Sequence, residues 1–163
     1  MFNNDLTLVF NPISRPQAEE AVLWEYRAPY DIYNISPSDR AETVEAFLRP
    51  DYHYYAVLQE EKFVAFRCFG ADAQVPGGDY SKDALDMGGG LRPDLTGRGL
   101  GRTVLSAALN FGVRQFSPKL FRTTVAEFNL RAVRVCTQIG YCEHSRFFSE
   151  KLGRSYIILL RSM

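Results

Sequence analysis

The sequence predicts an α/β domain in which a mixed β-sheet is covered by helices, and three observations point there. Apolar, β-branched and aromatic runs of strand length alternate with amphipathic runs of helix length. Gly, Pro and Asn punctuate them at short intervals, with no internal repeat and no low-complexity segment. At 163 residues and 46% hydrophobic content, the chain is long enough for one substantial core and short for two.

In order, "LTLVF" at residues 6 to 10 reads as a first strand. Ser14 offers an N-cap with Pro16 just inside it, so "RPQAEEAVLWEY" continues as a first helix with acidic residues early. "YRAPYDIYNISPSD" is an aromatic, proline-punctuated loop, and "DRAETVEAFL" is a short second helix before Pro50. "HYYAVLQEEKFVAFRCFG" is a hairpin about a polar "QEEK" tip. The fourth strand, "ALDMGGGL", carries Gly88, Gly89 and Gly90, a composition that marks a bulge or a close backbone approach. Leu100, Val104, Ala107, Ala108 and Phe111 then recur at helical spacing, with Arg102, Ser106, Asn110 and Arg114 on the opposite face. "LFRTTVAEF" follows as a strand. Asn129 caps the next helix, Phe128 and Val133 are placed to form a hydrophobic staple, and Gly140 is its stop. "YCEHSRFF" and "SYIILL" read as a closing hairpin.

Composition narrows the function classes. Lys plus Arg and Asp plus Glu both number 19, so the chain lacks the positive surplus that nucleic-acid binding rests on. No apolar run approaches the ~18 residues of a membrane span, and no basic segment precedes an apolar core at the start. The expectation is a cytoplasmic protein without a membrane partner. Cys68, Cys136 and Cys142 cannot all pair and show no CxxC spacing, and His53 and His144 are the only histidines. Neither a disulfide frame nor a metal site is expected.

The stretch "LRPDLTGRGLGRTVL", Leu91 to Leu105, carries the chemistry. A helix start presents unpaired N–H groups and the positive end of the dipole, so a glycine-rich approach suits a phosphate. A P-loop needs GxxxxGK[ST], and no lysine follows Gly101; a dinucleotide fingerprint needs GxGxxG, and counting from Gly97 its third glycine falls on Arg102. What remains is a phosphate cradle of another kind, or a turn whose glycines merely supply positive φ.

At this point the residues resemble a known family. Strand, "LRPDLTGRGLGR", amphipathic helix, strand "LFRTTVAEF", then "NLRAVRVCTQIGY" is similar to the core of the GNAT superfamily of acyl-CoA-dependent N-acetyltransferases. Gly99 and Gly101 match the small residues of its coenzyme A motif. Asn129, Ala132, Gly140 and Tyr141 are in register with its Asn-x-x-Ala-x-x-x-Tyr-x-x-x-Gly-Phe helix. The tight match covers roughly residues 83 to 142. Two positions depart: Thr96 stands where the family has Gln or Arg, and Cys136 where it has Tyr.

The resemblance implies one N-acetyltransferase domain over residues 1 to 163, built on a mostly antiparallel six- to seven-stranded sheet with splayed fourth and fifth strands. Acetyl-CoA is then the cosubstrate, with no metal. Thr96, Gly97, Arg98, Gly99, Leu100, Gly101, Arg102 and Thr103 would hold its pyrophosphate, Asn129 would reach the coenzyme, and an N–H near Leu91 would face the thioester oxygen. A lysine-like amine has a reference pKa near ~10.4, so a base is useful; Asp86 is the first candidate, with Asp83 and Glu127 behind it. Asp86 is otherwise a carboxylate paired with an arginine. Cys136 is either a proton donor to the leaving thiolate or a small buried packing residue. Tyr26, Tyr30, Tyr33 and Phe69, with Trp24 nearby, are candidates for an aromatic acceptor site for a small-molecule or peptide amine; Arg67, Asp31 and Asp79 would add polarity. A homodimer is left open. The competing readings are a coenzyme A-binding sensor or scaffold without transfer activity, and a Rossmann-like nucleotide binder.

Overall fold

The computed structural model describes residues 7–163. Of the first predicted strand, Leu6 lies outside the described residues. The elements run β1 (Leu8–Pro12), α1 (Arg15–Ala21), α2 (Arg40–Phe47), β2 (Tyr54–Gln59), β3 (Lys62–Phe69), β4 (Leu85–Leu91), α3 (Leu100–Phe116), β5 (Leu120–Ala126), α4 (Leu130–Gln138), β6 (Cys142–Ser149) and β7 (Arg154–Ser162). They form one seven-stranded sheet in the order β1-β2-β3-β4-β5-β7-β6. Every neighbouring pair is antiparallel except β4 and β5. The predicted order of strands and helices holds throughout.

Helices cover both faces. On one, Ala18 and Ala21 of α1, Val44 and Phe47 of α2 and Trp24 pack with Ala56 and Phe63. On the other, Ala108 and Leu109 of α3 and Cys136 of α4 pack on Phe69, Met87, Phe121, Ile157 and Leu159. A third cluster, Val57, Val64, Ala65, Leu95, Leu100 and Val104, seats the first turns of α3 on the early strands.

Two sequence expectations shift. The first helix ends at Ala21 rather than running to Tyr26, because Trp24 turns inward to pack between Phe63 and Phe66 at centroid distances of 5.0 and 5.7 Å. Ser14 and Gln17 close the predicted N-terminus as a reciprocal capping box. The expected bulge on β4 is absent from its pairing with β3, which runs one to one from Met87 to Leu91; the register shift lies instead between Val57 and Leu58. The β4 glycines serve close approach. A Cβ at Gly90 would sit 3.0 Å from both the Phe66 ring and the Tyr26 hydroxyl, and Gly89, at φ +146°, leaves no room for one against the backbone of Phe66 and Arg67.

Candidate active site

The site begins where β4 and β5 part. They pair only at Leu85 with Phe121 and Asp86 with Arg122, although β4 runs on to Leu91 and β5 to Ala126. Beyond that apex the strands diverge and leave a cleft with backbone edges on both sides. Thr123 Oγ1 closes the floor by donating to the Met87 carbonyl at 2.9 Å.

The apex is held by an ion pair. Arg122 donates from Nε to Asp86 Oδ1 at 2.6 Å and from Nη2 to Oδ2 at 2.7 Å, and Gln74 Nε2 adds a bond to Oδ2 at 2.9 Å. Arg122 also donates to the Lys82 carbonyl at 2.8 Å and lies against the Tyr80 ring. Asp86 is buried and both its oxygens are engaged. Of the two readings weighed for Asp86, these contacts describe the carboxylate paired with an arginine.

At the mouth, β4 passes through a short turn into α3. Gly99 is the N-cap, left-handed at φ +80°, and no side chain caps this end of a 17-residue helix. Gly97, Arg98, Gly99, Arg102 and Thr103 are exposed, and a Cβ at Gly99 would meet nothing within 4 Å. Leu100 is buried beneath them as the anchor. The result is open space beside uncapped N–H groups, which suits a phosphate or pyrophosphate. Thr96 does not serve as an outward donor: its hydroxyl bonds the Pro93 carbonyl at 2.7 Å. Arg131 of α4 closes the far side, placed so that a Cβ at Gly97 would lie 3.4 Å from its guanidinium.

Three of the four predicted acceptor aromatics gather at this mouth. Tyr26 donates to the Leu91 carbonyl at 2.7 Å, fixing the end of β4, and burial pushes its hydroxyl up to about 12. Tyr33 meets Tyr26 edge-on at 6.5 Å and lies 6.3 Å from Phe128. Tyr30 lies 5.9 Å from Phe128 and carries the Arg131 guanidinium at 4.8 Å from its ring centroid. Asn129 joins the groups: its Oδ1 caps α4 by accepting from Ala132 N at 3.1 Å, while Nδ2 donates to the Tyr33 hydroxyl at 3.1 Å. Phe69 does not belong. It is fully buried on the α3 face, packed on Phe111 and Phe116 at 5.8 and 5.2 Å, so its assignment to the acceptor site is corrected to core.

Glu127 sits at the end of β5, half-exposed, with Oε1 accepting from Arg146 at 2.6 Å and no bond recorded for its second oxygen among the described residues. Cys136 is buried on α4 in the core cluster, and burial pushes its thiol up to about 11. Among the described residues no group of three or more His, Cys, Asp and Glu side chains is placed to hold a metal. No helix among them is long and apolar enough to cross a membrane.

The family described as "Acetyltransferase (GNAT) family" matches residues 18–141. The chain belongs to the GNAT family. No curated protein matches the sequence. Among solved structures, AAC(6')-Ib in complex with ribostamycin and coenzyme A superposes at TM-score 0.76 and 13% identity, covering 96% of this chain and 93% of that one. A spermidine N-acetyltransferase chimera of SpeG from Vibrio cholerae and hSSAT gives 0.74 and 14%, with 95% of each chain covered. A GnaT-family acetyltransferase from Bordetella pertussis gives 0.73 and 17%, covering 99% and 98%. At these identities the likeness is one of fold.

Two features of this GNAT chain escaped the sequence reading. Arg131 has no role assigned from the sequence, and the fold turns it across Tyr30 toward Gly97. Arg67, expected to add polarity to the acceptor site, is buried in the core.

Proposed function

We propose that this GNAT chain moves an acetyl group from acetyl-CoA to a primary amine by direct attack in a ternary complex. One observation carries the proposal: the parted ends of β4 and β5 open beside an uncapped, glycine-lined helix start. This supplies, side by side, a strand edge for an amide-bearing arm and a donor cradle for a pyrophosphate. In this reading the N–H groups from Gly97 to Thr103 hold the pyrophosphate, with Arg98, Arg102 and Arg131 adding charge. Leu91, held in place through its carbonyl by Tyr26, directs the end of β4 at the thioester. Asn129 acts through position, capping α4 and fixing Tyr33.

Tyr26, Tyr30 and Tyr33, with Phe128, form an aromatic wall for the amine, which a cation meets face-on before it sheds its proton. With Asp86 engaged, Glu127 becomes the carboxylate that receives that proton, directly or through water, at its free oxygen. Coenzyme A was captured with ribostamycin in the AAC(6')-Ib structure, and the SpeG chimera is named for spermidine. Those likenesses support an amine acceptor for this chain and leave a small molecule and a peptide both within reach.

The buried Cys136 thiol favours a second reading, a coenzyme A sensor without transfer, since a thiol held at about 11 is a poor proton donor near neutrality. Thermal-shift measurement with acetyl-CoA, NAD and ATP, followed by free-thiol release over a panel of amines, separates these readings. Acetyl-CoA stabilisation with amine-dependent thiol release supports transfer. Stabilisation by NAD or ATP alone defeats it.

A further inference from the structure

Among the described residues, Arg67 carries its charge into the core without a partner for it. It is 9% exposed, no hydrogen bond or ion pair to its guanidinium is recorded among the described residues, and its Nε is buried without a partner. A guanidinium stays protonated in proteins, and a buried charge without a counter-ion is costly. Such a group calls for an anion.

The geometry says where the anion would sit. Arg67 lies opposite Gly89 in the β3 to β4 register, and shares a sheet face with Phe69, the face under α3 and α4. A Cβ at Gly89 would come 3.0 Å from Arg67 Cδ, so the side chain crosses β4 over the glycine, at a point where β4 has already left β5. Beyond it, the groups its charge acts on are Cys136 of α4 and Tyr141 just after α4, with Cys68 on its own strand; no carboxylate is among them. Tyr141 Oη is likewise buried without a partner.

We propose that Arg67 stabilises the coenzyme A thiolate as it leaves. This rests on the acetyltransferase reading above. The amine nitrogen bonds to the acetyl carbon, the carbon–sulfur bond breaks, and its electron pair passes to sulfur, which pairs with the Arg67 guanidinium. The proton lost by the amine goes to solvent through Glu127, and the thiolate takes one from solvent on release. A fixed cation does the work that a proton donor at position 136 would do, because charge developing on sulfur is met by a group already in place.

The test is the pH dependence of coenzyme A binding between pH 7 and 9.5, with desulfo-coenzyme A as the control lacking sulfur. A cysteine thiol titrates near ~8.5 and the simple alkyl thiol of coenzyme A above that; if Arg67 lowers the value in the complex, affinity rises by up to about tenfold per pH unit between the bound and free values and is flat on either side. The unchanged protein should therefore tighten on coenzyme A as pH rises, and show no slope with the desulfo compound. Arg67→Met should remove the slope, lower kcat by about 10²- to 10³-fold, and leave desulfo-coenzyme A affinity in place. Arg67→Lys should restore part of the slope, and Tyr141→Phe should keep it. A flat profile in the unchanged protein overturns the proposal whatever the variants do, as does a slope that Tyr141→Phe abolishes and Arg67→Met retains. Absence of any coenzyme A or acetyl-CoA binding defeats the acetyltransferase reading itself.

Discussion

Replacing Asp86 by Asn separates a structural brace from a catalytic base. The Asp86 carboxylate and its Arg122 partner are 5% and 3% exposed in their side chains, joined by two charge-assisted bonds of 2.6 and 2.7 Å. Removing one charge strands the other in the core, which costs about 3–5 kcal/mol where buried pairs have been broken. For a domain of this size each kcal/mol moves Tm by about 2–4 °C, so Asp86→Asn should lower Tm by about 6–20 °C. Replacing both partners with apolar residues of similar volume, Asp86→Leu with Arg122→Met, should recover most of that loss, because no charge is left unpaired. Thermal and urea denaturation read both effects, and turnover measured well below each variant's Tm should stay near that of the parent. A variant Asp86→Asn with unchanged Tm and abolished turnover would refute the brace and restore the base.

The remaining expectations use the same contacts. Gly99→Ala, with open space around the new Cβ but φ at +80°, should cost about 1–2 kcal/mol of stability and raise the acetyl-CoA Kd at least tenfold by calorimetry, since the methyl stands in the cradle. Gly89→Ala meets backbone instead and should cost about 3 kcal/mol or more, visible as a large Tm loss or as insoluble protein. Asn129→Ala should lose about 1 kcal/mol from the α4 cap, whereas Tyr33→Phe keeps the cap and the ring and loses only the bond to Asn129, so a rise in acceptor KM without loss of Tm marks the second role. Alkaline unfolding carries a sign. Tyr26 is raised by burial from 10.0 to about 12, so below pH 10 it binds its proton in both states, and above pH 10 the unfolded chain releases that proton first. Stability should fall from pH 10 toward 12, by up to about 3 kcal/mol from this group, and Tyr26→Phe should make that limb less steep without removing it, since burial also raises Tyr54, Tyr141, Cys68 and Cys136.

Much of the fold is legible in the chain because its signals are local. The 3.6-residue stripe from Leu100 to Phe111, the Ser14 and Asn129 caps and the glycine-spaced entry to α3 each specify their element within a few residues, and the structure uses them as read. The misses are long-range. Asp86 and Arg122 stand 36 residues apart and meet because two parallel strands touch at only two positions before parting, a fact no spacing records. Strand alternation puts Arg67 and Phe69 on one face, but which face the helices α3 and α4 cover is decided by the sheet's connections. Phe69 therefore falls in the core while Tyr26, Tyr30 and Tyr33 reach the mouth. The triple glycine of β4 admits two readings, a bulge or crowding, and the Phe66 ring and Arg67 stem lying across it make it crowding.

The most direct test of the central claim is the release of free thiol from acetyl-CoA by the purified protein, with and without each member of a panel of primary amines, the acetylated amine being identified by mass. The account predicts thiol release that depends on a particular amine and yields its N-acetyl product in equal amount. Binding of acetyl-CoA with no release above the protein-free rate for any amine would contradict it.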